Sequence, residues 1–153
     1  MNRRAPILIA ALVALGAVAI LSAVPAAATG TKLFTTMSGA EEAPGPGDPD
    51  ATGEALIRLN QGAGTVCYRL SWSDIDGTVT ASHIHKAPAG SPGGIVVPLF
   101  VNESFAGTDS DSGCTTGVDS GLIKDIRKNP QDYYVNVHST VFPPGAIRGQ
   151  LGD

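Results

Sequence analysis

Short runs in which apolar and polar residues alternate, separated by turn-forming residues, recur along most of the chain beyond residue 28. Because successive side chains of an extended strand point to opposite faces of a sheet, this period of two predicts β-strands. We therefore expect an all-β fold, an antiparallel Greek-key-like β-sandwich of about seven or eight strands with one short helix. The predicted strands are residues 32–37, 54–59, 64–72, 78–85, 95–101, 133–139 and 146–151.

Turn residues suggest how some of these strands connect. Asp76-Gly77 lies between the third and fourth predicted strands, and Pro143-Pro144-Gly145 lies between the last two. Both segments are typical of tight turns, so each connection is predicted to be an antiparallel hairpin.

The helix is expected after Asp119 or Ser120, either of which can cap it, and before Asn129-Pro130, which ends it. Its apolar side chains share one face, which would pack on an edge or one end of the sheet: Leu122, Ile123 and Ile126. Residues 39–53, 86–94 and 103–119 have the Gly-, Pro- and acid-rich composition of surface loops.

The first 28 residues have the composition of a secretory signal peptide. Asn2-Arg3-Arg4 is a positive leader, residues 7–24 are almost entirely apolar, and Ala26-Ala27-Ala28 is a small-residue cleavage site. An uncleaved membrane anchor is the alternative, since the apolar run approaches the length that spans a bilayer. We favour cleavage, which leaves residues 29–153 as one domain. The protein is then periplasmic, cell-surface or secreted, with no membrane attachment after cleavage.

The charge of this domain limits its partners. Without Arg3 and Arg4 the chain has 8 basic and 14 acidic residues, and no block of Lys or Arg interrupts the acidic surplus. Nucleic acid and anionic lipid are therefore not expected partners. The expected partner is an extracytoplasmic protein or surface ligand.

Two cysteines, Cys67 and Cys114, occur in this chain. An exported protein meets oxidising conditions, so a disulfide between them is favoured over two free thiols. Alternation places Cys67 on the face of its strand opposite Val66 and Leu70, whereas Cys114 falls in the predicted loop 103–119. The bond would then fasten that loop to the sheet.

All three histidines lie in two of the predicted strands. His83 and His85 share one strand face, about 6.6 Å apart along the chain, with Val79 and Ala81 on the same face. If the strand that carries His138 is a neighbour, three neutral imidazoles can converge on one copper or zinc ion. The alternative, which we favour from sequence alone, is three structural histidines that donate to backbone carbonyls or carboxylates. No cofactor is then expected.

Further polar residues are candidate contacts at the same rim of the sandwich. Arg148 and Gln150 share one face of the last strand. We expect Arg148 to pair with a carboxylate such as Glu41 or Glu42, an alternative to contact with a ligand. The rim contacts that we consider are Glu41, Glu42, Asn136, Arg148 and Gln150.

Patterns typical of catalysis are missing from the sequence. There is no Gly-x-Ser-x-Gly segment, no recognisable Ser/His/Asp spacing and no matched pair of acids for hydrolysis. The segment 109–113 begins like a calcium loop, but Gly113, Cys114 and Ser120 occupy positions that need an acid or amide, a glycine and a glutamate. We expect no catalytic residues, and a binding or structural module rather than an enzyme.

Four segments, in this order, resemble the CHRD domain, a family named after chordin. They are Ser38-Gly39-Ala40-Glu41-Glu42-Ala43-Pro44, His83-Ile84-His85-Lys86-Ala87-Pro88-Ala89-Gly90, Tyr134-Val135-Asn136-Val137-His138 and Ile147-Arg148-Gly149-Gln150-Leu151. The departures are Ala146, where an acid is usual, and Ser139, where threonine is usual. The resemblance implies an exported, mostly β module, here a bacterial single-domain member. In chordin such repeats accompany domains that bind growth factors, while bacterial members have no settled activity.

A second resemblance concerns the histidines alone. A His-x-His strand with a distant third histidine is similar to the copper site of copper-zinc superoxide dismutase. That enzyme uses more histidines, including one that bridges to zinc, whereas this chain has three. The resemblance therefore implies a single metal site and no complete dismutase centre.

Overall fold

The computed structural model describes residues 30–152, which form eight strands, one α-helix and two short 3₁₀ turns. The predicted signal peptide lies outside the described residues and stays a prediction. The 3₁₀ turns are Gly39–Glu41 and Pro130–Asp132. The main elements are β1 Thr31–Ser38, β2 Thr52–Asn60, β3 Thr65–Ser73, β4 Val79–Lys86, β5 Gly94–Phe105, β6 Asp109–Thr116, α1 Ser120–Lys128, β7 Tyr133–Ser139 and β8 Ile147–Gln150.

All eight strands belong to one antiparallel sheet with the order β5-β4-β7-β8-β1-β2-β3-β6. The sheet folds over into a flattened sandwich, close to a barrel, so that its two end strands approach each other. Thr115 Oγ1 of β6 donates a hydrogen bond to Pro98 O of β5 across this seam. One apolar core fills the interior, with Ile57, Leu70, Trp72, Ile84, Val135 and Ile147 among its buried side chains. The predicted all-β fold with one helix is confirmed.

The two predicted hairpins have different outcomes. β7 and β8 pair antiparallel across Pro143-Pro144-Gly145, as predicted. The hairpin at Asp76-Gly77 is wrong, because β3 pairs with β2 and β6 while β4 pairs with β5 and β7. Gly77 has the positive φ of 83° that its turn needs. A turn sequence fixes a local change of direction but not the strand that the chain pairs with afterwards, and here the chain crosses from one half of the sheet to the other.

The predicted loop 103–119 is mostly strand, formed by the end of β5 and all of β6, and this prediction is corrected. β6 pairs along its length with β3, and Cys67 lies directly opposite Cys114 in this ladder. The predicted disulfide is present, so it joins two adjacent strands rather than a loop and the sheet. Tyr68 Oη adds a hydrogen bond of 2.9 Å to Asp111 Oδ2 between the same strands.

Helix α1 begins and ends where the sequence predicts. The Asp119 carboxylate caps it by accepting from Leu122 N at 2.8 Å. Ile123 and Ile126 are fully buried in the core, so the helix covers one end of the sandwich. Among residues 30–152, no helix combines the length and apolarity needed to cross a membrane.

Candidate functional site

The register of β4 and β7 brings the three histidines to one face of the sheet. The two strands are neighbours, with Ala81 opposite His138, His83 opposite Asn136 and His85 opposite Tyr134. Directly opposed residues of an antiparallel pair point to the same side. This side is the outer face of the sheet, since Ile84 and Val135 point into the core.

A bulge in β4 corrects one detail of the predicted histidine face. The register shifts between Val79 and Ala81, so that Val79 lies opposite Ser139 while Ala81 lies opposite His138. A bulge inserts one residue and changes the face of everything beyond it. Val79 is consequently in the core, and only Ala81 shares the face of His83 and His85.

The three imidazole rings form a compact cluster. His83 Nδ1 lies 3.0 Å from His138 Nε2. The ring centroids are 4.9 Å apart for His83 and His138, 5.6 Å for His83 and His85, and 6.2 Å for His85 and His138. One nitrogen from each ring lies within 4.8 Å of the other two. The structure thus brings together the residues that the sequence proposed as metal ligands.

Backbone carbonyls orient two of the rings. His85 Nδ1 donates to Gly93 O at 2.9 Å, and His138 Nδ1 donates to Pro143 O at 2.9 Å. A carbonyl oxygen only accepts, so in a neutral ring Nδ1 carries the proton and Nε2 carries the lone pair. Metal-binding histidines are usually oriented by a hydrogen bond of this kind.

Burial keeps the cluster neutral. His83 is 8% exposed and His85 is 7% exposed. Burial, together with the nearby rings of His138 and His85, lowers the pKa of His83 to about 4. The pKa values of His85 and His138 are also lowered, mainly by burial. At neutral pH the three rings are uncharged, which is the state in which imidazole binds a metal ion.

Two buried acceptor atoms of this face have no hydrogen-bond partner. They are His85 Nε2 and Asn136 Oδ1, on neighbouring strands. The Asn136 side chain lies close enough to His85 to influence its pKa. Buried polar atoms are nearly always paired, so two adjacent acceptors without a donor are atoms that a cation or a donor group could still engage.

Tyr134 connects the histidines to Arg148. Its ring stacks on His85 with a centroid distance of 4.8 Å and an interplanar angle of 7°. Arg148 Cζ lies 3.4 Å from the centroid of the same ring. Gly93 N donates to Tyr134 Oη at 3.2 Å. The period of two puts Tyr134 on the same strand face as His138. The stacking contacts, however, join three strands and have no signal in the sequence.

The remaining predicted rim residues divide into buried and exposed ones. Arg148 does not pair with a carboxylate as expected: it donates to Ser91 O, Pro88 O and Gln150 Oε1. Gln150 donates in turn to Ala87 O and Gln131 O. Both side chains lie on the histidine face and are buried, whereas Glu41 is exposed and Glu42 is half-buried.

These features define a class of protein, an all-β module with a disulfide and a buried polar face that gathers three neutral histidines. The chain belongs to the CHRD domain family, whose model matches residues 33–151 and so includes all three histidines. No curated protein and no solved structure matches the chain. Membership of this family supports a binding or structural module. CHRD domains are typically extracellular, and the Cys67–Cys114 disulfide fits that setting.

Proposed function

We propose that this protein is an exported, bacterial single-domain CHRD module that binds one copper or zinc ion through His83, His85 and His138. The observation that carries the proposal is the convergence of the three rings, with one nitrogen of each within 4.8 Å of the others. The proposal includes no catalytic step, in line with the binding or structural character of the family.

The rings need a small adjustment to hold an ion. Metal–nitrogen bonds of about 2.0 Å place neighbouring ligand nitrogens roughly 3.4 Å apart. Closing from 4.8 Å requires the rings to move by an ångström or so, and His83 must release His138 Nε2. The hydrogen bonds to Gly93 O and Pro143 O can persist during this movement, since they use the Nδ1 atoms.

The competing interpretation is a purely structural cluster. The bonds to Gly93 O and Pro143 O and the bond between His83 and His138 suit that interpretation equally well. The metal interpretation also accounts for His85 Nε2, a buried lone pair without a donor, and we favour it for that reason.

The first prediction is that the purified protein, stripped with a chelator and reloaded with copper or zinc, retains one ion per chain. His85→Ala and His138→Ala should each weaken binding more than about a hundredfold, because removal of a ligand exceeds the effect of removing an outer contact. Metal content after gel filtration gives the stoichiometry, and chelator competition gives the affinity.

Lys86→Ala is the matched control for these variants. Lys86 adjoins His85 in the sequence but is exposed and pairs with Asp125, so its loss should leave the stoichiometry at one. The proposal fails if wild-type protein retains no stoichiometric ion, or if the two histidine variants retain as much as Lys86→Ala does.

A further inference from the structure

A buried positive charge lies behind the histidine cluster. Arg148 is 1% exposed. Its hydrogen bonds go to neutral acceptors: Ser91 O at 2.8 Å, Pro88 O at 2.9 Å and Gln150 Oε1 at 3.1 Å. The one ion pair in the described part of the chain joins Lys86 to Asp125 and does not involve Arg148. The guanidinium charge is therefore solvated by dipoles and not neutralised by a paired anion.

The Tyr134 ring lies between this charge and the metal site. The strand order β4-β7-β8 puts Tyr134 between the strands that carry His85 and Arg148, and both groups contact its ring. Since His85, Tyr134 and Arg148 are buried, the charge is weakly screened between them.

The donor set adds no negative charge of its own. The cluster within metal-binding distance consists of His83, His85 and His138, and no Asp, Glu or Cys of residues 30–152 belongs to it. An ion with two positive charges is therefore repelled by Arg148 twice as strongly as an ion with one. Three neutral nitrogens also satisfy a trigonal monovalent copper ion, whereas zinc takes a fourth ligand.

From these contacts we infer that Arg148 is a specificity determinant, which makes the three-histidine site discriminate for monovalent copper against divalent ions such as zinc. The inference rests on the proposed metal-binding function and deepens it. Arg148 touches no ion in this arrangement. Its positive charge repels a bound ion from the other side of the Tyr134 ring.

Glu42 provides an opposing charge near Arg148. It is an acid whose field acts on Arg148, and Arg148 in turn acts to lower the pKa of Glu42. Burial outweighs that effect and leaves the pKa of Glu42 at about 7, so the carboxylate is mostly ionised at pH 8. At that pH it partly offsets the guanidinium.

The test compares Cu⁺ and Zn²⁺ affinities by anaerobic chelator competition at pH 8, for wild type, Arg148→Gln and Glu42→Gln. For charges on the order of 10 Å apart and an effective dielectric constant of about 20, Arg148→Gln should tighten Cu⁺ roughly tenfold and Zn²⁺ roughly a hundredfold. Glu42→Gln should act in the opposite direction and weaken Zn²⁺ more than Cu⁺. Arg69→Gln, at an exposed position of β3, should change neither affinity.

The outcomes separate this inference from the proposed function. If wild-type protein binds neither ion, the metal function fails and the inference fails with it. If wild type binds both ions and the Zn²⁺ to Cu⁺ affinity ratio stays within twofold in both variants, the metal function stands and the role of Arg148 is wrong. If Arg148→Gln does not fold, as circular dichroism would show, the ratio measured in Glu42→Gln decides the question.

Discussion

At the scale of single residues, Glu42 has the least expected environment. A Cβ added at Gly145 would lie 2.4 Å from Glu42 Oε1, and one at Gly47 would lie 2.8 Å from Glu42 Cγ. The Glu42 side chain thus packs against two glycines, and its Oε1 is buried without a hydrogen-bond partner. Burial raises its pKa to about 7, although Arg148 and the Ala43 amide act in the opposite direction.

This raised pKa predicts a specific pH dependence of stability. Between pH 4.5, the ordinary pKa of this carboxyl, and about pH 7, Glu42 is protonated to a greater extent in the folded state than in the unfolded state. Its stabilising contribution is therefore complete below pH 4.5 and is lost as the pH rises through 7. We expect Glu42→Gln to gain about 2 kcal/mol of unfolding free energy relative to wild type between pH 4.5 and pH 8. Urea denaturation at several pH values measures this difference.

The control for Glu42 is Glu54→Gln, at an exposed position of β2. The pH dependence of stability that His83 contributes has the opposite sign. Because its pKa is lowered in the folded state, the unfolding free energy decreases as the pH falls below 6.5 toward 4. That effect is common to wild type and variant and cancels in their difference. Parallel stability curves for wild type and Glu42→Gln would contradict the assigned pKa.

Some residues of the candidate site are positioned by local strand geometry, and others by contacts between residues that are far apart in the sequence. His83 and His85 share a face because of a period of two, which is local, and the sequence predicts it. The contact of His83 with His138 spans 55 positions along the chain, and the stack of Tyr134 on His85 depends on strand order. Alternation fixes which face a side chain takes, but only the pairing of strands fixes its neighbours.

At the scale of elements, β6 is the strand that its amino-acid composition does not predict. Its sequence, DSDSGCTT, has no apolar alternation, and most of its side chains are exposed. In the sheet it pairs with β3 alone, because it lies at the end of the strand order. The backbone ladder and the Cys67–Cys114 bond define it, and neither leaves a hydrophobic pattern for sequence analysis to detect.

Removal of the disulfide should therefore loosen β6 before the rest of the fold. The bond closes a separation of 47 residues, for which the chain-entropy model gives about 4 kcal/mol. We expect the Cys67→Ser/Cys114→Ser variant to lose unfolding free energy of that order. Its amide hydrogen exchange should accelerate most in β6, which can be followed peptide by peptide with mass spectrometry.

Ser112→Ala, a change within β6 that keeps the disulfide, is the control for this variant. It should leave the exchange rates of β6 near those of wild type, since the ladder with β3 is intact. Uniform acceleration in β6 and β7 of the cysteine variant would show that the disulfide stabilises the whole fold and not this strand in particular.

At the scale of the whole molecule, β7 and β8 are buried on both faces, which is unusual for antiparallel strands. One face contributes to the apolar core. The other carries Arg148 and Gln150, which donate to carbonyls of the segment 87–93. His85 of the neighbouring strand β4 donates to the same segment. The fold therefore has a polar layer outside the sheet, and the histidine cluster is part of it.

This layer could not be predicted because its partners are backbone atoms of loops. The sequence identifies 86–94 and 39–53 as surface segments from their composition, and most of their side chains are exposed. Asp48 is nevertheless fully buried in the second of these segments. The composition of a loop predicts whether its side chains are exposed. The polar layer instead uses backbone carbonyls as acceptors, and because every residue has one, composition does not predict which of them take part.

The stability of this layer can be tested at Gln150. Its Nε2 donates to Ala87 O at 2.8 Å and to Gln131 O at 2.7 Å, so it ties two separate connections to β8. Gln150→Ala leaves both carbonyls without this donor, and an unpaired buried group costs about 1 to 3 kcal/mol. We expect a loss of roughly 2 to 4 kcal/mol of unfolding free energy, seen as a lower urea midpoint with an unchanged slope.

The control is Gln61→Ala, at the half-exposed turn after β2, which should shift the midpoint little. Equal midpoints for the two variants would mean that the loops, and the histidine cluster beneath them, are held by the apolar core alone.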